Sequence, residues 1–141
     1  MSTDLKPRHK SVAWFLCGSF FWGWLLENGA GWPLGCGAGL VGGQYIIDQQ
    51  PGRSDGNPFT NDGYRVTAKE AREMARLARY IAAHERRIAS VYHRLPPHHR
   101  QEIEDAPLLR NAYRIPMREE WIEKTERFAE WAEKSGGFQI K

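Results

Sequence analysis

The chain has 141 residues and a mass of 16.2 kDa, a length that favours one domain over two. Hydrophobic residues make up 41% and charged residues 26%, which supplies a core and excludes disorder of the whole chain. The net charge of +3 is far below that of a dedicated nucleic-acid binder. Two cysteines, Cys17 and Cys36, exclude a disulfide-stapled miniature protein and a four-cysteine zinc site.

Positive charge is concentrated in the middle of the sequence. Residues 65–114 contain eleven Lys and Arg against six Asp and Glu, whereas residues 1–64 and 115–141 each have a net charge of −1. The middle third is therefore the only stretch of the sequence to which charge would attract an anionic partner.

The N-terminal part divides into a short charged segment and a long apolar one. Residues 1–10 are predicted to be a flexible N-terminus, and residues 11–141 a single domain. The zone 11–47 is rich in Gly and Trp, and its uncharged run Ser11–Leu26 is shorter than the roughly 20 residues that cross a bilayer. Four glycines recur at the spacing of close-packed membrane helices: Gly31, Gly35, Gly39 and Gly43. We expect burial against later helices, with membrane association through inserted residues 11–47 as the alternative.

A loop and a long helix follow the apolar zone. Residues 48–66 are predicted to be loop, with Gly63 at positive φ and a short extended piece at Tyr64–Val66. Thr67 and Glu70 have the spacing of a capping box, so a helix is predicted from there to the Pro96-Pro97 pair, with a break near residues 84–87. Its predicted apolar stripe is Met74, Leu77, Ile81, His84, Ile88, Val91 and Leu95.

A second amphipathic helix is predicted near the C-terminal end. Pro116 suits the first turn, and Gly136-Gly137 suits the left-handed position at the helix end, before a short extended piece at Phe138–Ile140. The predicted apolar face is Met117, Trp121, Thr125, Phe128 and Ala132, with Trp131 at its margin. A weaker helix is predicted over His98–Asp105. The fold class is thus mainly α, with residues 67–141 as the helical zone.

No motif predicts a catalytic, cofactor or metal site. The G-x-G-x-x-G match at 37–42 has neither the preceding strand nor the following helix of a dinucleotide site. His98 and His99 lie close to His93 in sequence but at no standard ligand spacing. An enzyme built from dispersed residues such as His84, His93 and Glu102 stays open, although the sequence favours a non-enzymatic protein. The redox state of the two cysteines also stays open.

Five arginines of the long helix are the candidate partner-binding residues. They are Arg72, Arg76, Arg79, Arg86 and Arg87. The first three share one side of the helix and would contact phosphates or an acidic protein, whereas interleaved glutamates favour a solvated face.

Two short stretches resemble a known protein group. Residues 61–71 (NDGYRVTAKEA) and the ending Phe128 through SGGFQI at 135–140 resemble a family of small uncharacterised bacterial and prophage-encoded proteins. The Trp-rich segment Phe20–Trp24 is similar to the one those proteins carry before the NDG turn. The resemblance implies a bacterial, mobile-element origin. It does not indicate an activity, because the family has no assigned reaction.

These observations favour a cytoplasmic, non-enzymatic interaction or regulatory protein that binds a macromolecule. Two alternatives remain: a membrane-associated protein with residues 11–47 in the bilayer, and a nucleic-acid-binding protein that uses the basic helix face. The sequence predicts no small-molecule substrate, cofactor or metal.

Overall fold

The computed structural model describes residues 3–36, 40–41, 44–45, 56–60, 62–106 and 115–141. Within them the helices are α1 (Ser19–Leu25), α2 (Ala68–Arg94), α3 (Pro97–Asp105) and α4 (Glu119–Ser135). The strands are β1 (Asp4–Pro7), β2 (Phe15–Leu16), β3 (Leu40–Val41), β4 (Gln44–Tyr45), β5 (Arg65–Val66) and β6 (Phe138–Ile140). A π-helical turn (Leu26–Ala30) and a 3-10 turn (Trp32–Leu34) follow α1. The prediction of a mainly α fold with two long amphipathic helices is confirmed.

A small antiparallel sheet joins three distant parts of the chain. Its strand order is β2-β1-β6-β5, and β3 pairs with β4 in a separate two-stranded ladder. The prediction that residues 1–10 are flexible differs from this arrangement, because β1 lies inside the sheet and Leu5 has no exposed surface. A four-residue strand is too short for its alternation to stand out in the sequence.

The core forms where α2, α4 and the N-terminal aromatic residues meet. Phe21, Trp22 and Leu25 of α1 are at most 2% exposed and belong to the same core cluster as the buried faces of α2 and α4. The indole N–H of Trp22 donates to the Pro58 carbonyl at 2.8 Å, which satisfies its polar atom inside the core. The expected burial of the apolar zone is therefore confirmed for these residues of α1. Among the described residues, none of the helices has the length and apolarity needed to cross a membrane.

Helix α2 follows its predicted boundaries but differs in its buried face. Thr67 and Glu70 form the predicted capping box, and the helix runs through residues 84–87 without the predicted break. Beyond Ile81 the predicted stripe is wrong at Val91, which is 62% exposed, while Tyr92 is buried. Tyr92 turns toward α3, where its hydroxyl donates to Glu104 at 2.6 Å.

Helix α4 begins three residues later than Pro116 predicts. Arg118 is the residue before the first turn and has extended backbone angles. Just ahead of it, the Met117 N–H donates to the buried carboxylate of Glu85 at 3.1 Å, which holds this part of the chain against α2 instead of in a helix. The buried face is also wider than predicted, because Ile122 and Ala129 belong to it.

Glycines end the helices and permit close approaches. Gly136 has the left-handed conformation predicted for the end of α4, with φ of 71°. A Cβ on Gly137 would lie 2.7 Å from the Val66 carbonyl oxygen, so this glycine lets β6 lie beside β5. The four-residue glycine repeat was noted in the sequence because it is typical of close-packed membrane helices. Gly31 and Gly35 of this repeat lie in turns, and Gly39 and Gly43 lie outside the described residues.

Candidate functional site

Three of the five candidate arginines of α2 form ion pairs with glutamates. Arg76 forms an ion pair with Glu73 on the same helix, and Arg79 forms one with Glu133 of α4. The pairing raises the pKa of both arginines and lowers the pKa of Glu133. Arg79 therefore links α2 to α4, and Arg76 forms its ion pair within α2.

Arg86 is engaged in the same way. Its guanidinium bridges Glu126 and Glu119 of α4, with 2.8 Å to the latter, and these hydrogen bonds raise its pKa. Arg72 and Arg87 are exposed and form no ion pair with the part of the chain that the structure describes. They lie 15 residues apart, about 22 Å along the helix, and so do not form a dense patch.

In the part of the chain that the structure describes, the histidines belong to no group of metal ligands. His98 and His99 stack with their ring centroids 4.3 Å apart, and both are exposed, as is His93. The described residues contain no group of three His, Cys, Asp or Glu that could hold a metal ion. A shallow cavity of about 610 Å³ beside α3 is lined by Glu102 but by neither His84 nor His93, so the dispersed catalytic set does not converge there.

The two cysteines are free thiols with suppressed reactivity. Cys17 is completely buried, and burial raises its pKa to about 12. Burial likewise raises the pKa of Cys36 to about 11. Because the thiolate is the nucleophilic form, neither group is suited to nucleophilic catalysis near neutral pH.

The outer face of the sheet carries a row of polar and cationic side chains that the sequence did not predict. In β1, Leu5 and Pro7 are buried and Lys6 is exposed between them. Strand register places Lys6 opposite Gln139 of β6, and Gln139 opposite Arg65 of β5. Residues opposite each other in adjacent strands share a face, so Lys6 and Arg65 lie on the side away from the core.

A cavity of about 620 Å³ lies beside this row. Four cationic residues line it, Lys6, Arg8, Lys10 and Arg65, and we refer to these four as the basic cleft. Among the described residues of the lining there is no Asp or Glu, and the others are Pro7 of β1 and residues at the junction of β5, β6 and the end of α4. The charges therefore reinforce one another around a concave surface that is suited to an anionic group.

The basic cleft had one signal in the sequence. Lys6, Arg8 and Lys10 are the only Lys and Arg residues of the first fifty and lie within five positions of one another, with Lys6 in β1 and the other two just after it. Arg65, by contrast, is more than fifty residues away, and strand pairing alone brings it to the other three.

Large apolar side chains lie exposed next to the basic cleft. Trp14 is 49% exposed, Leu16 72% and Phe20 89%, and we refer to these three as the apolar edge. Leu16 lies opposite Asp4, on the same outer face as Lys6, and the Lys6 ammonium lies 5.9 Å from the centroid of the Trp14 ring. Trp14 and Leu16 therefore lie beside the basic cleft on the outer face of the sheet, and Phe20 follows Leu16 by four residues, in α1.

Comparison with known proteins adds no assignment. The chain matches no family model, no curated protein and no solved structure.

Proposed function

We propose that this chain is a non-enzymatic binding protein whose partner is an anionic macromolecule. The observation that supports the proposal is the basic cleft, in which four cations line one cavity and none of the other described lining residues is an acid. We therefore propose the residues of the basic cleft as the partner-binding residues, instead of the arginines of α2. Arg76, Arg79 and Arg86 already contact glutamates, so their charge is partly neutralised within the protein.

The chemistry of the cleft favours binding over catalysis. Lys and Arg side chains attract phosphate, sulfate and carboxylate groups by charge and by donated hydrogen bonds, and they supply no general base near neutral pH. Several cations spread over one surface suit a partner with repeated negative charges, because each contact releases a counterion and adds affinity.

Paired arginine variants test the proposal. We expect Arg8→Ala/Arg65→Ala to weaken binding to heparin, a generic polyanion, and to lower the slope of log K against log salt by about two. The measurement is a salt titration of heparin affinity, with thermal unfolding to show that the variant folds.

Arg72→Ala/Arg87→Ala is the matched control, because it removes two exposed arginines from α2. This control should bind heparin nearly as the unaltered protein does. If the control loses affinity and the cleft variant keeps it, the helix face is the binding surface and the proposal is wrong.

A further inference from the structure

The three side chains of the apolar edge expose a large fraction of their surface, between 49% and 89%. Phe20 lies on the side of α1 opposite the buried Phe21, Trp22 and Leu25, and is 89% exposed. Single exposed apolar residues are common, but exposed Trp, Leu and Phe within seven residues of chain form a group that marks interaction surfaces.

The edge is held in place by the sheet. The N–H groups of Cys17 and Gly18 both donate to the Thr3 carbonyl, at 3.1 and 2.9 Å, and the Thr3 and Ser19 hydroxyls are 3.0 Å apart. These bonds join the segment between β2 and α1 to the residue before β1. Leu16 and Phe20 are therefore presented from an anchored part of the fold.

We propose that the apolar edge and the basic cleft together dock the protein on the surface of an anionic lipid membrane. This inference rests on the proposed function and names the anionic partner. Trp14, Leu16 and Phe20 would enter the interface between headgroups and acyl chains, while the cleft cations contact the headgroups. Trp is enriched at that depth because its ring is apolar and its N–H is polar.

Charge complementarity selects this occupant over a second copy of the chain. A symmetric dimer through the edge would bring Lys6 and its neighbouring cations close to the same residues of the other copy, and like charges oppose that contact. An anionic membrane instead satisfies both halves of the surface, apolar and cationic.

A nucleic acid fits the surface less well than a membrane does. Its phosphates would match the basic cleft, but single-stranded recognition relies on aromatic rings that stack on bases, and aliphatic Leu16 offers no such ring. Transfer of the Leu16 side chain, which is 72% exposed, into the apolar phase of a membrane would instead be favourable.

The docking mode is peripheral and differs from insertion of residues 11–47. The core side chains of α1 stay packed against α2 and α4, and only the outward side chains of residues 14–20 meet the lipid.

Vesicle co-sedimentation tests the proposal. We expect the protein to bind vesicles of mixed phosphatidylcholine and phosphatidylserine and to bind vesicles of phosphatidylcholine alone at least about tenfold more weakly. Leu16→Ser/Phe20→Ser should lower partitioning into the mixed vesicles at least about tenfold and leave heparin affinity unchanged. Arg8→Ala/Arg65→Ala should lower both, with a loss of about 25-fold on vesicles.

Tyr80→Ser/Val91→Ser is the control, because it removes two exposed apolar side chains from α2 and should leave vesicle binding intact. Vesicle binding that survives Leu16→Ser/Phe20→Ser would overturn membrane docking, as would tight binding of a single-stranded oligonucleotide without any binding of vesicles. In either case the proposed function stands if Arg8→Ala/Arg65→Ala weakens heparin binding as expected, and it fails separately if that variant binds heparin normally.

Discussion

At the scale of single residues, the burial of Cys17 has a consequence for stability at alkaline pH. Its folded pKa of about 12 lies above the ordinary value of 9.0 that applies in the unfolded chain. Between those two values the unfolded chain has lost a proton that the folded protein still holds, so a rise in pH favours unfolding. The stability that this thiol provides is complete below pH 9 and declines through the interval up to pH 12.

We therefore expect the free energy of unfolding to fall more steeply with pH in the unaltered protein than in Cys17→Ala. Between pH 8 and 10.5 the difference between their losses should be about 2 kcal/mol, from about 1.4 kcal/mol per pH unit. Urea unfolding of both proteins at the two pH values measures it. Comparing the losses removes the constant cost of the cavity that the substitution creates, and equal losses would show that Cys17 titrates normally.

Other residue-scale features were predictable because their signals are local. The capping box of Thr67 and Glu70 and the left-handed Gly136 each depend on backbone groups within a few positions, so spacing alone indicates them. The side-chain environment of Cys17 was not predictable, since it includes Asp4 of β1 and Lys124 of α4, which are distant in sequence.

At the scale of elements, Glu85 connects α2 to the start of α4. Its carboxylate is 2% exposed and accepts the Met117 N–H just before that helix. Glu85→Ala should lower the free energy of unfolding by about 1–3 kcal/mol, because it leaves a backbone donor without its acceptor. Glu85→Gln keeps an oxygen at that position and should lose less.

Urea unfolding of the unaltered protein, Glu85→Ala and Glu85→Gln measures these losses. Glu70→Gln is the control, because it changes another glutamate of α2, at the exposed capping box, and should have a small effect. An alanine variant as stable as the unaltered protein would contradict the role of Glu85.

The contact between Glu85 and Met117 could not be predicted from the sequence pattern, and neither could the boundary of α4 that depends on it. The pattern predicted α4 from Pro116 on propensity, but Met117 is held by a side chain 32 positions earlier. Val91 was assigned to the apolar stripe by spacing, and Tyr92 is buried instead because α3 folds back beside it. Periodicity identifies helices well and their tertiary neighbours poorly.

At the scale of the whole molecule, the N-terminal segment is part of the folded structure. Leu5 has no exposed surface, lies in the core cluster and pairs with Phe15 and Ile140 on either side. Leu5→Ala should lower the free energy of unfolding by about 2–5 kcal/mol, as removal of a buried leucine side chain does elsewhere.

Lys6→Ala, at the adjacent exposed position, is the control and should stay within about 0.5 kcal/mol of the unaltered protein. Thermal or urea unfolding measures both. Equal, small effects at the two positions would restore the prediction of a flexible N-terminus.

The candidate site could not be predicted because it forms only in the assembled sheet. Charge counting directed attention to residues 65–114, where the arginines are most numerous. Folding then pairs two of those arginines, Arg79 and Arg86, with glutamates of α4 and gathers Lys6, Arg8 and Lys10 beside Arg65. Local composition does not show which charges form ion pairs between residues that are 33 to 54 positions apart in the chain.

The ion pairs between α2 and α4 and the cations of the basic cleft lie on different parts of the molecule. Arg79 and Arg86 contact glutamates of α4, whereas Lys6, Arg8, Lys10 and Arg65 are gathered on the strand side. We therefore expect a negatively charged surface to orient the protein before collision, so that it arrives with its strands leading and its helices trailing. This orienting torque weakens once dissolved ions shorten the range of the field to about 8 Å, so encounter rates will decline with ionic strength even for variants whose final contacts are intact.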